Sequence, residues 1–299
     1  AWVGVQETLA ACLNGVKGET LILDKKRGRE DNVHASIDSA RMDRATLKAM
    51  LGAMRDSFPM FRRYFKHKAK LIGKKQLAWW DISAPLGKTD KVYSWDEARD
   101  FIVENFNKFS PELGAFAKRT FDNNWIDAEQ REGKRGGAFC MGLEGVKESR
   151  ILSNFDGSFD QVSTLAHEIG HAFHNECAYQ ANKTELQQFT PMTLAETASI
   201  MCETIATEAA LAKTTDKQEV LAILEAQMTT LHRSSWIFIH VTCSRRKSSN
   251  AAPNPNSLPT RSTTSWNARK KPPMATAWMK SICKNICGPG SLITIHQAC

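Results

Sequence analysis

The sequence predicts a mostly α-helical fold that contains a small β-sheet. Apolar residues recur at helical spacing in several segments, and one stripe near the start of the chain contains Leu47, Met50, Leu51 and Met54. The segments 133–140 and 151–155 differ, because their glycines and short apolar runs favour strands. The hydrophobic content of 42% over 299 residues is sufficient for a sizeable buried core. We therefore expect a helix-rich domain in which a short sheet precedes the central helices.

Helix boundaries on either side of this sheet follow from capping patterns and apolar periodicity. A Ser-x-x-Glu capping box at 94–97 predicts the start of one helix, and the Ser-Pro-Glu run at 110–112 predicts the start of the next. Downstream, 193–213 and 217–231 each have the apolar spacing of a helix. Most of the predicted elements are thus helical.

The chain changes character after residue 232. Residues 233–299 contain 10 of the 40 Lys and Arg residues, none of the 32 Asp and Glu residues and 6 of the 10 prolines. We predict a folded domain at 1–232 and a low-complexity, disordered tail at 233–299, which is the source of the formal charge of +8. The basic tail lacks aromatic interleaving and a recognisable module, so we expect no nucleic-acid partner. No apolar run is long enough to span a bilayer, so we expect no membrane partner.

A His-Glu-x-x-His motif identifies the candidate site. His167 and His171 are four residues apart, about one helical turn, so both imidazoles project from one face of a helix and can bind a single cation. The apolar spacing of 159–173 predicts that helix. Glu168 lies beside the histidines and faces the remaining open position. The motif is typical of a hydrolytic zinc site with one ion per chain.

Other polar residues are candidates for completing this site. Glu196 follows the second histidine by 25 residues in an apolar stretch, where a charged carboxylate is costly to bury unless a cation pairs with it. A first-turn glutamate that faces solvent and stabilises the helix dipole is the alternative. Glu203, two turns further, could orient a ligating histidine or occupy a solvated position. His174 shares the face of the motif, where it supports the ligands or has only a structural role.

The cysteines indicate a reducing compartment. The four thiols before the tail lie in apolar segments, and we expect them to be reduced core residues rather than disulfides, which favours a cytoplasmic protein; they are Cys12, Cys140, Cys177 and Cys202. In the tail, Cys283, Cys287 and Cys299 have a spacing that fits no common zinc pattern.

The residues around the motif resemble those of a known family. The string from His167 to His174, followed by Ala195 to Ser199, is similar to the zinc site of the oligoendopeptidase F branch of the thimet oligopeptidase family, with the same 25-residue gap to the third ligand. The resemblance implies a zincin-like metallopeptidase catalytic core. It also implies a zinc-dependent endopeptidase that hydrolyses peptide bonds in oligopeptides, so an oligopeptide is the expected partner.

The same resemblance implies roles for individual residues. It implies His167, His171 and Glu196 as ligands of Zn²⁺, and Glu168 as the general base that takes a proton from the attacking water. It further implies that an edge strand pairs with extended peptide near Gly136, Gly137, Ala138 and Phe139.

The chain also departs from this family. Relatives are longer as a class, so we interpret the chain as lacking the N-terminal part of the family domain. Relatives carry a His and Tyr cluster beyond the third ligand, whereas the last tyrosine here is Tyr179. We interpret the tail as the product of a reading-frame shift near His232, because a displaced frame over 274–289 can encode a segment that resembles the family's His and Tyr region. Two alternatives stay open: an inactive metal-binding remnant of such an enzyme, and another gluzincin peptidase or carboxypeptidase with the same motif.

Overall fold

The computed structural model describes residues 2–87 and 91–232. The described residues divide into two compact units, one formed by 2–86 with 225–232 and the other by 87 and 91–224. Within the described residues, no helix is both long and apolar enough to cross a membrane.

The predicted tail at 233–299 lies outside the described residues. The same holds for its cysteines and for the segment in which we interpret a reading-frame shift. The division into a folded domain at 1–232 and a disordered tail therefore stays a prediction.

Helices dominate the described part of the chain, as predicted. They are α1 (Gln6–Lys26), α2 (His34–Ala40), α3 (Arg44–Asp56), α4 (Phe58–Leu71), α5 (Trp95–Phe109), α6 (Pro111–Asp122), α7 (Phe159–Gln180), α8 (Glu185–Gln188), α9 (Met192–Ala195), α10 (Thr197–Lys213) and α11 (217–232). The strands are β1 (Ile126–Asp127), β2 (Phe139–Leu143) and β3 (Glu148–Leu152). A helix-rich fold with a small sheet is thus confirmed.

The predicted starts of α5 and α6 are confirmed by their caps. Ser94 and Glu97 form a reciprocal capping box, in which the Ser94 amide donates to the Glu97 carboxylate at 2.7 Å and the Glu97 amide donates to the Ser94 hydroxyl at 3.2 Å. The Ser110 hydroxyl accepts a hydrogen bond from the Leu113 amide at 3.4 Å, and Pro111 occupies the first position of α6. Side-chain acceptors therefore satisfy amides that lack partners at both helix starts.

The sheet has the order β1-β3-β2, with β1 parallel and β2 antiparallel to the central strand β3. Ile151 of β3 lies opposite Ile126 on one side and Cys140 on the other. Strand β2 is thus an edge of this three-stranded sheet. Helix α7 packs against β2 and β3, which brings the sheet beside the His-Glu-x-x-His motif.

The strand predicted at 133–140 is wrong for most of its length, because β2 begins only at Phe139. Gly133 and Gly137 have φ angles of +78° and +85°, a left-handed backbone that interrupts a strand. The strand predicted at 151–155 is likewise displaced, since β3 ends at Leu152.

Helix α7 lies at the centre of the hydrophobic core of the unit Gly87–Leu224. Val162, Leu165 and Ile169 are completely buried on α7, in a cluster that also contains side chains of α5, α6 and α10. Gly170 permits a close approach of α10, because a Cβ at this position would lie 2.7 Å from the Ala198 carbonyl oxygen. The absence of a side chain at Gly170 therefore determines how near α10 comes to the motif.

The other unit contains α1 to α4 and a buried polar network. The Lys68 side chain is fully buried, donates to the Ile82 carbonyl oxygen at 2.8 Å and forms an ion pair with Glu225. The Tyr64 hydroxyl donates to the Glu225 carboxylate at 3.1 Å, and burial raises the pKa of Tyr64 to about 12. The ammonium is stabilised inside this unit because both a carboxylate and a carbonyl accept its protons.

The four cysteines in the described ranges are free thiols, as predicted. Cys202 is buried and Cys140 is half-buried, but Cys12 and Cys177 are exposed. The expectation that all four are core residues is therefore wrong for Cys12 and Cys177. The expectation was based on apolar neighbours in sequence, but an apolar segment can be exposed: helix α1 carries exposed apolar side chains such as Leu13.

Candidate metal centre

Helix α7 carries both histidines of the motif. Its N-cap is Ser158, whose hydroxyl accepts a hydrogen bond from the Gln161 amide at 3.3 Å. The rings of His167 and His171 have centroids 4.9 Å apart and nearly perpendicular planes. Each histidine side chain is 23% exposed, so a largely buried helix presents both rings to a partly open space.

Glu196 meets the two histidines. Its Oε2 lies 3.1 Å from Nε2 of His167 and 3.2 Å from Nε2 of His171. One ligand atom from each of the three residues lies within 4.8 Å of the others, which makes them the group in the described part of the chain that could hold a metal ion. The structure thus brings the three residues predicted as ligands together.

Two expectations about Glu196 are wrong. The helix predicted at 193–213 is interrupted at this residue, which lies between α9 and α10 with φ −90° and ψ 4°. Its side chain is half exposed rather than buried. A residue at the junction of two helices is not enclosed by helical neighbours, so the carboxylate reaches the histidines and keeps contact with solvent.

Ser199 is a residue of the site that the sequence analysis missed. Its buried hydroxyl donates to Oε2 of Glu196 at 2.8 Å, the same oxygen that approaches both histidines. The available signal was a serine three residues after an acid at a helix start, but this pattern is common at helix N-termini. The contact restricts the orientation of the Glu196 carboxylate.

Glu203 lies next to the first histidine, whereas His174 does not join the cluster. Oε2 of Glu203 is 3.1 Å from Nδ1 of His167. A carboxylate at this distance makes Nδ1 the protonated nitrogen, which leaves the lone pair of Nε2 facing Glu196. His174 follows His171 by three residues on α7, but the potential metal-binding group among the described residues does not include it.

The two histidines differ in their electrostatic surroundings. At His167, burial lowers the pKa, but the hydrogen bond with Glu203 and the charges of Glu168 and Glu196 outweigh it, so the pKa is raised above its ordinary value. At His171, burial dominates and the pKa is lowered, although Glu196 opposes the effect. The lowered pKa of His171 favours the neutral imidazole that binds a metal. The raised pKa of His167 favours the imidazolium, which must lose a proton before it can bind a metal.

Glu168 is a buried carboxylate beside the candidate ligands. The residue is 6% exposed, and its buried Oε2 has no hydrogen-bond partner among the residues that the structure describes. Burial raises the pKa of Glu168 to about 7; the charge of Glu196 acts in the same direction, and His167 opposes it. A carboxyl group with a pKa near neutrality can both accept and release a proton.

The segment predicted to contact peptide lies at the start of the edge strand. Gly136 and Gly137 are exposed, Ala138 is half-buried, and Phe139 begins β2 with an exposed side chain. Burial raises the pKa of the next residue, Cys140, to about 12, and the charge of Glu168 contributes to this increase. Helix α7, which carries Glu168, packs against β2, so this strand lies beside the helix of the site.

The donor set fits a zinc ion. Two imidazole nitrogens and one carboxylate oxygen are the protein ligands of one common class of catalytic zinc site. Ligand atoms at tetrahedral angles around Zn²⁺ are about 3.3 Å apart, and the contacts of 3.1 and 3.2 Å made by Glu196 are close to this separation. The hydrogen bond between His167 and Glu203 is of the kind that holds metal-binding histidines in orientation.

The profile of peptidase family M3 matches residues 3–242. The chain belongs to peptidase family M3. Among the relatives, the chromosomal oligoendopeptidase F of Lactococcus lactis subsp. cremoris is 31% identical over 175 residues, which cover 58% of this chain and 29% of that protein. The oligopeptidase PepF of Bacillus subtilis is 23% identical over 222 residues, covering 73% of this chain and 32% of that protein. The resemblance to the oligoendopeptidase F branch of the M3 peptidases is therefore confirmed.

Solved structures have the same fold. A protein of Chlamydophila abortus that is assigned as a peptidase superposes with a TM-score of 0.72 at 19% identity, over 95% of this chain and 46% of that one. PZ peptidase A, solved with an inhibitor, superposes with a TM-score of 0.56 at 18% identity, over 96% of this chain and 49% of that one. The M3 chain described here thus spans about a third of its curated relatives and about half of these structures.

Proposed function

We propose that this chain is the metal-binding catalytic segment of a zinc-dependent endopeptidase that cleaves oligopeptides. The observation that carries the proposal is the approach of Glu196 Oε2 to Nε2 of both His167 and His171, with the buried carboxylate of Glu168 beside them. Membership of peptidase family M3 supports the reaction class. The names of the relatives, oligoendopeptidase and oligopeptidase, support oligopeptides as the substrate class.

In this proposal His167, His171 and Glu196 hold the ion. Zinc lowers the pKa of water toward neutrality and polarises a peptide carbonyl. Ser199 restricts the Glu196 carboxylate through its hydrogen bond, and Glu203 keeps the proton of His167 on Nδ1. These two contacts hold the ligand atoms in orientation before an ion binds.

Glu168 transfers the proton in the proposed reaction. Its carboxylate takes a proton from water as the oxygen attacks the scissile carbonyl carbon, and holds that proton on one carboxylate oxygen. It then donates the proton to the amine nitrogen of the leaving peptide as the carbon–nitrogen bond breaks. Burial favours the protonated form of Glu168, which makes its carboxylate a stronger base toward the proton of water.

The test uses the 299-residue chain loaded with zinc. We expect about one zinc per chain and cleavage of an internally quenched peptide blocked at both ends, which a chelator abolishes and added zinc restores. Glu168→Gln should retain zinc and lower the cleavage rate by about 10²- to 10⁴-fold. Glu112→Gln, at an exposed glutamate of α6, is the matched control and should cleave like the parent. Cleavage that persists in Glu168→Gln would contradict the role of this carboxylate.

A metal-binding remnant without activity is the second candidate. One observation favours it: within the 299-residue sequence no tyrosine follows Tyr179, and loss of one donor to the oxyanion typically lowers the rate by about 10²-fold or more. In that case the parent chain binds zinc and cleaves no peptide. Cleavage only at an unblocked C-terminus would instead identify a carboxypeptidase.

We also propose a cytoplasmic location. The free, exposed thiols of Cys12 and Cys177 support it, because exposed cysteines persist as thiols in a reducing compartment. Fractionation of the source cells tests this assignment, and recovery of the protein outside the cytoplasm would contradict it.

A further inference from the structure

A buried lysine lies at the centre of the loop 128–138, which connects β1 to the edge strand β2. The side chain of Lys134 is only 2% exposed. Its Nζ lies 2.6 Å from the Ser153 carbonyl oxygen, 2.7 Å from the Glu129 carbonyl oxygen, and 3.0 and 3.1 Å from the carbonyl and carboxylate oxygens of Asp127. The ammonium thus has four oxygen acceptors for its three protons. Three of these acceptors are backbone carbonyls, so the buried cation holds three points of the backbone together.

These contacts join parts of the chain that are separate in sequence. Asp127 is the last residue of β1, and Ser153 directly follows β3. The next residue, Asn154, continues the attachment, because its side-chain amide donates to the carbonyl oxygens of Arg135 at 3.0 Å and Gly137 at 2.8 Å. The backbone immediately before β2 is therefore held against the end of β3, although it belongs to no helix or strand.

This attachment bears on the site because of where β2 runs. Strand β2 pairs with β3 on one side only, so its other edge offers backbone amides and carbonyls. Helix α7, which carries Glu168, packs against β2. A chain that added to this edge would therefore extend the sheet beside the helix that carries the buried carboxylate.

We propose that Lys134 is a positioning residue for peptide binding, whose buried ammonium fixes the backbone of 136–139 as the start of the edge to which an extended peptide adds. The inference rests on the proposed function, because it concerns binding of the same substrate class. Loss of the ammonium leaves the Glu129 and Ser153 carbonyl oxygens without their donor. The loop then gains freedom that peptide binding must remove.

Arg131 provides a matched control. It pairs with the same carboxylate of Asp127, at 2.7 and 2.8 Å, but its side chain is 51% exposed. It reaches no oxygen of Ser153, and its contact with the Glu129 carbonyl oxygen is a marginal 3.5 Å. Replacing Arg131 therefore removes a positive charge and an ion pair at Asp127 while leaving the backbone attachment in place.

The experiment measures peptide binding without turnover. The full chain with Glu168→Gln is loaded with zinc and titrated into a blocked, fluorescently labelled oligopeptide, with binding followed by anisotropy. We expect Lys134→Met to raise the Kd by about 10- to 100-fold, and Arg131→Met to change it by less than about 3-fold. Bound zinc should stay equal in both variants. With Glu168 restored, Lys134→Met should raise KM and leave kcat unchanged.

A second variant decides the outcome if Lys134→Met loses zinc together with its fold. Asn154→Ala removes only the donors to the carbonyls of Arg135 and Gly137, and should raise the Kd in the same direction. The inference is overturned if a zinc-loaded Lys134→Met or Asn154→Ala chain binds peptide like the parent, or if Arg131→Met weakens binding equally. Absence of peptide binding by the parent would instead contradict the proposed function, and the inference with it.

Discussion

Replacing Gly170 by alanine should weaken metal binding by moving α10 away from α7. A Cβ at Gly170 would lie 2.7 Å from both the Ala198 carbonyl oxygen and the Ser199 Cα. Both are backbone atoms, so no side chain can rotate to make room. Because α10 begins directly after Glu196, we expect the movement to reach the third candidate ligand.

The size of the displacement follows from the contact distances. Ordinary van der Waals contact begins at 3.4 Å, so the helices must separate by about 0.7 Å. A shift of this size would lengthen the 3.1 Å separation between Glu196 Oε2 and His167 Nε2 to about 3.8 Å, beyond the spacing of two ligands of one zinc ion. Overpacking typically costs about 1–3 kcal/mol of folding free energy. We expect a loss of zinc affinity of about 10- to 100-fold.

The assay is competition for zinc with a chromophoric chelator, with thermal unfolding measured in parallel. Gly52→Ala in α3 is the control, because a Cβ at Gly52 would meet no atom within 4 Å. That substitution should leave zinc affinity unchanged and stabilise the chain by about 0.4–1 kcal/mol. Parent-like zinc affinity in Gly170→Ala would refute the reasoning that the approach of the two helices determines the position of Glu196.

Further predictions concern the outer contact of the site, the metal and a buried histidine. Glu203→Ala should lower zinc affinity by about 10-fold or more, because it removes the acceptor of the His167 Nδ1 proton. Glu208→Ala on the same helix is the control and should leave zinc affinity unchanged. Equal losses of affinity in the two variants would contradict the assignment of Glu203 as the partner that orients His167. Free zinc at 100 times its Kd should stabilise the chain by about 2.7 kcal/mol, measured by denaturant unfolding with and without chelator; an identical midpoint would argue against a folded metal site. Burial lowers the pKa of His232 to about 4. The unfolded state then binds this proton at a higher pH than the folded state does. The contribution of neutral His232 to the free energy of unfolding should therefore be fully present above pH 6.5 and decrease as the pH falls toward 4. His232→Phe should reduce this pH dependence.

The elements that the sequence predicted correctly are those with local causes. The capping box of Ser94 and Glu97 needs only four residues, and the pairing of His167 with His171 needs only one helical turn. The position of β2 was missed because its start depends on the left-handed glycines of the preceding loop, which composition alone does not reveal. A glycine-rich apolar run therefore predicts a strand nearby, but not its first residue.

The third candidate ligand, Glu196, shows where sequence reasoning depends on tertiary structure. Nothing within α7 determines where Glu196 lies; that position follows from the approach of α10 at Gly170 and from the helix break that leaves the carboxylate half exposed. The same helix α10 supplies the Ser199 hydroxyl to Glu196 and the Glu203 carboxylate to His167. One helix therefore sets the position of the third candidate ligand, its orientation and the tautomer of a histidine, so a displacement of α10 changes all three at once.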